Sequence, residues 1–205
     1  MSQTTFSILA LATAMLIAVA QIRWTIQTQH RLVDDELEVM ASGVARQVLE
    51  YAESRSFDER TTPAVWNTNG PPASELDFDP SANFGNAPDP TCSLSDLTLN
   101  VSECDDIDDL HMDSSLWQSF PFIMETDTMD FEINVQVYYV DDIDPNIRLL
   151  GANRSQSKEM VVRVRSPLQV QQNRFTKGLV QLKRLYLYDE TDEEDRHDSI
   201  YGPLP

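Results

Sequence analysis

Three periodicities follow one another along this chain. From Phe6 to Ile22 the run FSILALATAMLIAVAQI has neither a charged side chain nor a polar stripe, and Arg23 and Trp24 come directly after it. A helix of that length rises ~25 Å, slightly under the ~30 Å hydrocarbon core of a bilayer, and a Trp–Arg pair suits the membrane interface. The pattern predicts a membrane-length helix over 6–22, with Phe6, Ile8, Leu9, Leu11, Met15, Leu16, Ile17, Val19 and Ile22 as the apolar surface open to lipid or to other helices. Beyond it, Val33, Leu37, Met40, Val44, Val48 and Tyr51 recur at helical steps, while Asp35, Glu36, Arg46 and Glu50 fall elsewhere around the axis. No proline precedes Pro63, and Gly43 is the only glycine before Gly70, so both halves read as one helix from about Thr4 to about Ser56. At roughly 80 Å it outreaches a compact domain of this size, and half of it must project or pack against other molecules.

The stretch 61–130 reads as a long wrapping loop, with Pro63, Pro71, Pro72, Pro80, Pro88 and Pro90 in its first part and room for short turns and one strand. Period-two alternation then begins. Phe131–Val140 alternates apolar and polar residues and is ended by the Asp141–Asn146 turn chemistry. Met160–Ser166 forms a second run stopped by Pro167, and Leu179–Tyr188 a third. Three such runs predict an antiparallel sheet over 131–190 with one buried face, covered by the long helix. The chain thus divides into a helix at 1–60, a loop at 61–130, a sheet at 131–190 and an acidic tail at 191–205. The fold class is α+β.

Charge removes several functions. The 205 residues carry 15 Lys and Arg against 34 Asp and Glu, a formal net charge of -19. So acidic a surface repels phosphate backbones, which argues against a nucleic-acid partner. With 6 glycines, 2 cysteines and 3 histidines, the chain lacks the material for a zinc-ribbon array or a glycine-rich nucleotide cradle. His30, His111 and His197 stand apart from any nucleophile or paired carboxylate at a recognisable spacing, so no catalytic residue is expected and the chain reads as a non-enzyme. Charge is also segregated. No Lys or Arg lies between Thr61 and Ile147, whereas Arg148–Tyr188 is basic with one acidic residue, Glu159. The two regions either pair within one molecule or set a complementarity between subunits.

Cys92 and Cys104 close a short loop in an Asp-rich stretch with no CxxC or His spacing around them, which favours a disulfide over free thiols. That places the soluble part outside the cytoplasmic membrane, against the weak orientation signal from Arg23 and Arg31. Ala18-Val19-Ala20 before Gln21 has the look of a signal-peptidase site, yet Met1–Thr5 has no basic side chain, and an uncleaved anchor or a packing helix is the stronger expectation.

A hydrophobic helix running into an amphipathic one, then a loop, then a late antiparallel sheet resembles type IV pilins and the pseudopilins of type II secretion. The helix end Ala41–Glu50 followed by Arg55-Ser56-Phe57-Asp58-Glu59 is similar to the minor-pilin pattern in which the helix closes just before a Phe-Asp turn. Phe131–Asp142, Lys158–Val164 and Val180-Gln181-Leu182 are similar to the strand succession of those proteins. Two features depart from the family. Thr5 stands where the leader Gly is usual, and Ala10 where the mature fifth residue is usually Glu. The resemblance implies a lollipop-shaped, divergent minor or tip subunit of a filament. Its partners would be copies of itself or other pilin-like subunits, with the bilayer meeting residues 6–22. It would reside in the inner membrane before assembly and in an extracytoplasmic or cell-surface filament afterwards. A membrane-anchored binding or accessory module that never polymerises is the alternative.

No cofactor is expected apart from one candidate. Asp141, Asp142 and Asp144, with Asn146, have the oxygen density of a Ca2+ site, and the family resemblance implies calcium in a loop of some pseudopilins. Asp105, Asp106, Asp108 and Asp109 form a second such cluster; neither matches EF-hand spacing, and a solvated acidic loop is the competing reading. Trp66 and Trp117 read as packing anchors of the loop.

Overall fold

A computed structural model describes residues 2–58, 61, 72, 77–81, 84, 104, 106–123, 128–149, 153–166 and 179–188. Helix α1 spans Ser2–Glu53 without a break, as expected where neither proline nor a pair of glycines interrupts 52 residues. The chain divides into two units, Met1–Met40 and Ala41–Pro205. In the first, side chains from 6 to 36 are exposed, including Val33 at 46%, which the periodicity had put on the buried stripe. In the second, Ala41, Val44, Ala45, Val48, Leu49 and Ala52 are buried at alternating steps of three and one. This is a narrower and smaller-residue stripe than the one read from Val44, Val48 and Tyr51. The helix ends without glycine. Ser54 and Arg55 donate their N–H groups to the carbonyls of Tyr51 and Ala52, a tightened last turn, and the Ser54 hydroxyl also donates to Tyr51 at 2.6 Å.

The sheet has four strands, β1 (Gln118–Ile123), β2 (Thr128–Tyr139), β3 (Ser157–Arg165) and β4 (Val180–Leu187), adjacent in chain order and all antiparallel. The first lies within the expected loop and contains Pro121. Proline is tolerated there because β1 is an edge strand, which need not donate from every residue. The other three fall where alternation placed them, although β2 starts at Thr128 and β3 at Ser157, each three residues early.

Register fixes the two faces. Phe131, Ile133, Val135, Val137 and Tyr139 of β2 lie opposite Val164, Val162, Met160 and Lys158 of β3 where the strands overlap, and these residues form the buried face. Val180 and Tyr186 continue it on β4, and the Tyr186 hydroxyl donates to the Leu49 carbonyl of α1 at 2.9 Å. On the other face, Glu159 accepts from Arg148 and Lys183 at 2.7 and 2.8 Å, while Glu132 pairs with Arg165 directly across from it. The Arg165 guanidinium lies over the Trp117 ring, which makes Trp117 a packing residue. Much of the basic sheet is thus neutralised within the unit, by Glu159, by Glu132 and Asp108 of the acidic stretch before it, and by Glu53 on Arg184.

Candidate functional site

Two places in the molecule oppose the usual sorting of side chains. The first is the start of α1. Phe6, Ile8, Leu9, Leu11, Met15, Leu16, Ile17, Val19 and Ile22 are all half-exposed or more, with Phe6 and Leu16 at 70%. No part of the apolar window is buried, so the core-helix explanation of so apolar a segment fails. By length and composition this helix is long and apolar enough to cross a membrane. Four of its hydroxyls are turned back on the backbone. Ser7 donates to the Gln3 carbonyl, Thr13 to Ala10, and Thr25 and Thr28 to Gln21 and Trp24, at 2.9 to 3.1 Å. Hydroxyls satisfied within the helix need no water, which suits an apolar medium.

The second place is a buried charge cluster on the sheet's apolar face. Lys158 shares the parity of Met160, Val162 and Val164, so the strand aims it inward between Tyr139 and Tyr186 on the neighbouring strands. Its side chain is wholly buried. All three ammonium N–H groups are used: on the Phe57 carbonyl at 2.6 Å, Asp58 Oδ2 at 3.0 Å and Asp108 Oδ1 at 2.5 Å. Rings surround the nitrogen, with Phe57, Tyr139 and Phe84 centroids at 4.5, 5.1 and 5.2 Å.

Local structure delivers each carboxylate. Asp58 lies five residues beyond the end of α1, where Thr61 closes a turn by donating N–H and hydroxyl to the Asp58 carbonyl. Both Asp58 carboxylate oxygens accept from the Asp79 N–H at 3.1 Å, and the Tyr139 hydroxyl lies 3.0 Å from Oδ2. Asp108 opens a single 3-10 turn, Asp108–Leu110, held by a parallel bridge between Ser56 and Asp106 and by the Ile107 N–H on the Ser56 carbonyl. Burial, opposed by the nearby ammonium, pushes the Asp108 carboxyl up to about 6. Burial and then Asp108 raise Asp106 well above the ordinary carboxylate range. For Lys158 burial would depress the pKa, but Asp108 and Asp58 outweigh it and hold the ammonium above its ordinary value.

The alternation read from Met160 does not mark Lys158 as an inward-facing residue, although the strand resemblance includes it. Extending the same alternation by one step inward would have found a lysine on the apolar face. Asp58 was seen as part of a Phe-Asp turn and Asp108 as part of an acidic cluster, with nothing in the linear spacing to join them to a residue 50 or 100 positions away.

The calcium candidates are placed on one loop but face different donors. Asp141 Oδ1 accepts from the N–H groups of Ile143 and Asp144, Asp144 Oδ1 from Asn146, and Asp142 Oδ1 from the Ser157 hydroxyl. Among the described residues no group of three or more His, Cys, Asp or Glu is arranged to hold a metal ion. The loop's carboxylates accept hydrogen bonds that build its turns. Cys104 is buried and no described cysteine is a free thiol, while Cys92 lies outside the described residues, as does the tail at 191–205. In comparisons with known proteins the chain matches no family model, no curated protein and no solved structure.

Proposed function

We propose that this chain is a non-enzymatic structural subunit of a pilin-like or pseudopilus-like surface filament, assembled through the apolar start of α1. The observation that carries the reading is that none of the apolar window that begins at Phe6 is buried, on a helix whose Ser7 and Thr13 hydroxyls are satisfied internally. In water each large apolar side chain there forgoes roughly 1.5 to 3 kcal/mol of burial. Lipid before assembly and neighbouring copies of the helix after it would both recover that energy. The sheet unit would then be displayed outside the membrane, with a Cys92–Cys104 disulfide stapling the loop between helix and sheet in that oxidising compartment.

Shearing intact cells tests this directly. A filament subunit leaves with the sheared supernatant as high-mass material that sediments. Recovery solely in the detergent-soluble membrane fraction would reject polymerisation and favour a membrane-anchored accessory module. Thr5 and Ala10, at the positions where the family usually has Gly and Glu, give that second reading its support.

A further inference from the structure

The Lys158 cluster has the parts of a self-contained amide-forming site. We propose that Lys158 and Asp108 condense, without any other protein, into an intramolecular isopeptide bond between Nζ and the side-chain carboxyl carbon, with Asp58 carrying the proton. The inference stands apart from filament assembly, since every group involved lies in the unit Ala41–Pro205.

Position comes first. Nζ sits 2.5 Å from Asp108 Oδ1, one bond from the carbon it would attack. Holding reactants in this way replaces a bimolecular encounter, and effective molarities for well-oriented pairs reach about 10⁵ M and above. A second carboxylate, Asp58, touches the same nitrogen at 3.0 Å and is itself fixed by the Asp79 N–H and the Tyr139 hydroxyl. Asp108 Oδ1 is tied to Lys158, so of the two acids Asp108 is the less encumbered electrophile and Asp58 the better-held base. Phe57, Phe84 and Tyr139 wall the nitrogen, and Lys158 has no solvent-exposed side-chain surface.

The atoms balance with nothing added. An ammonium proton moves from Nζ to the Asp108 carboxylate, giving a neutral amine and a neutral acid. The nitrogen lone pair attacks the carboxyl carbon and the C–N bond forms. Asp58 takes a proton from the nitrogen and returns it to the departing hydroxyl. The C–O bond breaks and one water leaves. No redox change occurs. The product is a neutral amide where two charges had been buried, which removes the desolvation cost of both. The raised carboxyl of Asp108 favours the first transfer, while the ammonium held by its carboxylates opposes it, so formation is expected to be slow after folding.

The test is the intact mass of the full-length reduced protein in detergent, with its N-terminus determined, followed over days. The expected result is a mass one water below that of the chain, with a branched peptide in a proteolytic digest that joins the segments holding Asp108 and Lys158. Lys158→Arg and Asp108→Ala should each restore the unbridged mass. Asp58→Asn should slow formation about a hundredfold or more, in the range removed with a general acid–base group. A wild-type mass that stays at the unbridged value in aged, folded protein overturns the proposal and leaves a buried ion pair. A branched peptide through Asp58 in place of Asp108 overturns the assignment of roles. Because the decisive reading is on the wild-type chain, a variant that fails to fold does not blunt it.

Discussion

At the start of α1 large apolar side chains stand in the open, while at one end of the sheet's apolar face a lysine and its aspartates are shut away. Each arrangement is costly by itself and needs a partner. Among the described residues nothing covers the exposed segment, which the proposed function assigns to lipid or to other helices. The buried lysine finds its partners inside the fold, drawn from two segments far from it in the chain, Phe57-Asp58 and Asp108. The difference separates a surface left open by the fold from a junction that closes the unit on itself.

The sharpest way to break this comparison is to put charge into the exposed segment. Leu11→Asp with Leu16→Asp should abolish membrane retention and assembly, since an Asp near the centre of a spanning helix costs about 2.5 to 3.5 kcal/mol on insertion scales. Thermal unfolding of the sheet unit should be unchanged. A double mutant recovered in sheared filaments would reject the proposed role of the helix.

Next in size is Lys158→Met, which leaves Asp58 and Asp108 buried without their cation. Breaking a buried pair by removing one partner costs about 3 to 5 kcal/mol, to be read as a loss in denaturant midpoint. Adding Asp58→Asn and Asp108→Asn should recover part of the loss. If the single variant is as stable as wild type, the cluster does not close the unit.

Smaller effects come from two singly placed residues. His111 accepts the Val137 N–H at 3.0 Å on Nδ1, and burial lowers its pKa from 6.5. The unfolded chain therefore binds more protons than the fold as pH drops below that value, and this group's stability contribution is lost as pH falls through the depressed folded pKa. Asp106 acts with the opposite sign: its raised carboxyl makes the fold the better proton binder above the ordinary carboxylate value. Subtracting the stability–pH curve of His111→Phe from that of wild type should isolate the histidine slope. The smallest change is a gain. Gly43 is exposed in α1 with nothing within 4 Å of an added Cβ, so Gly43→Ala should stabilise the sheet unit by about 0.5 to 1 kcal/mol in denaturant unfolding. It should not alter release by shearing unless Gly43 meets another subunit.

Much of this fold is legible along the chain. The helix is readable because Phe6–Ile22 and the stripe through Val44 and Val48 are local, repeating patterns, and β2, β3 and β4 because alternation needs a few neighbouring residues. The first strand was harder: Pro121 and the short run Gln118–Ile123 carry little alternation, and pairing with β2 is what holds it extended. The small-residue stripe Ala41, Ala45 and Ala52 was likewise hidden, since alanine is apolar enough to be buried but too common in helices to mark a face.

What the sequence determined by itself is therefore the set of local elements and the apolar start of α1, because a run or a period is a property of neighbours. What tertiary structure decided is where the charges went. Asp58, Asp108 and Lys158 are far apart in the chain and separately unremarkable, and Asp141, Asp142 and Asp144 are adjacent yet turn to different donors. Electrostatic partnership depends on distance in space and on exclusion of water, and both are set by register and packing, which linear spacing does not encode.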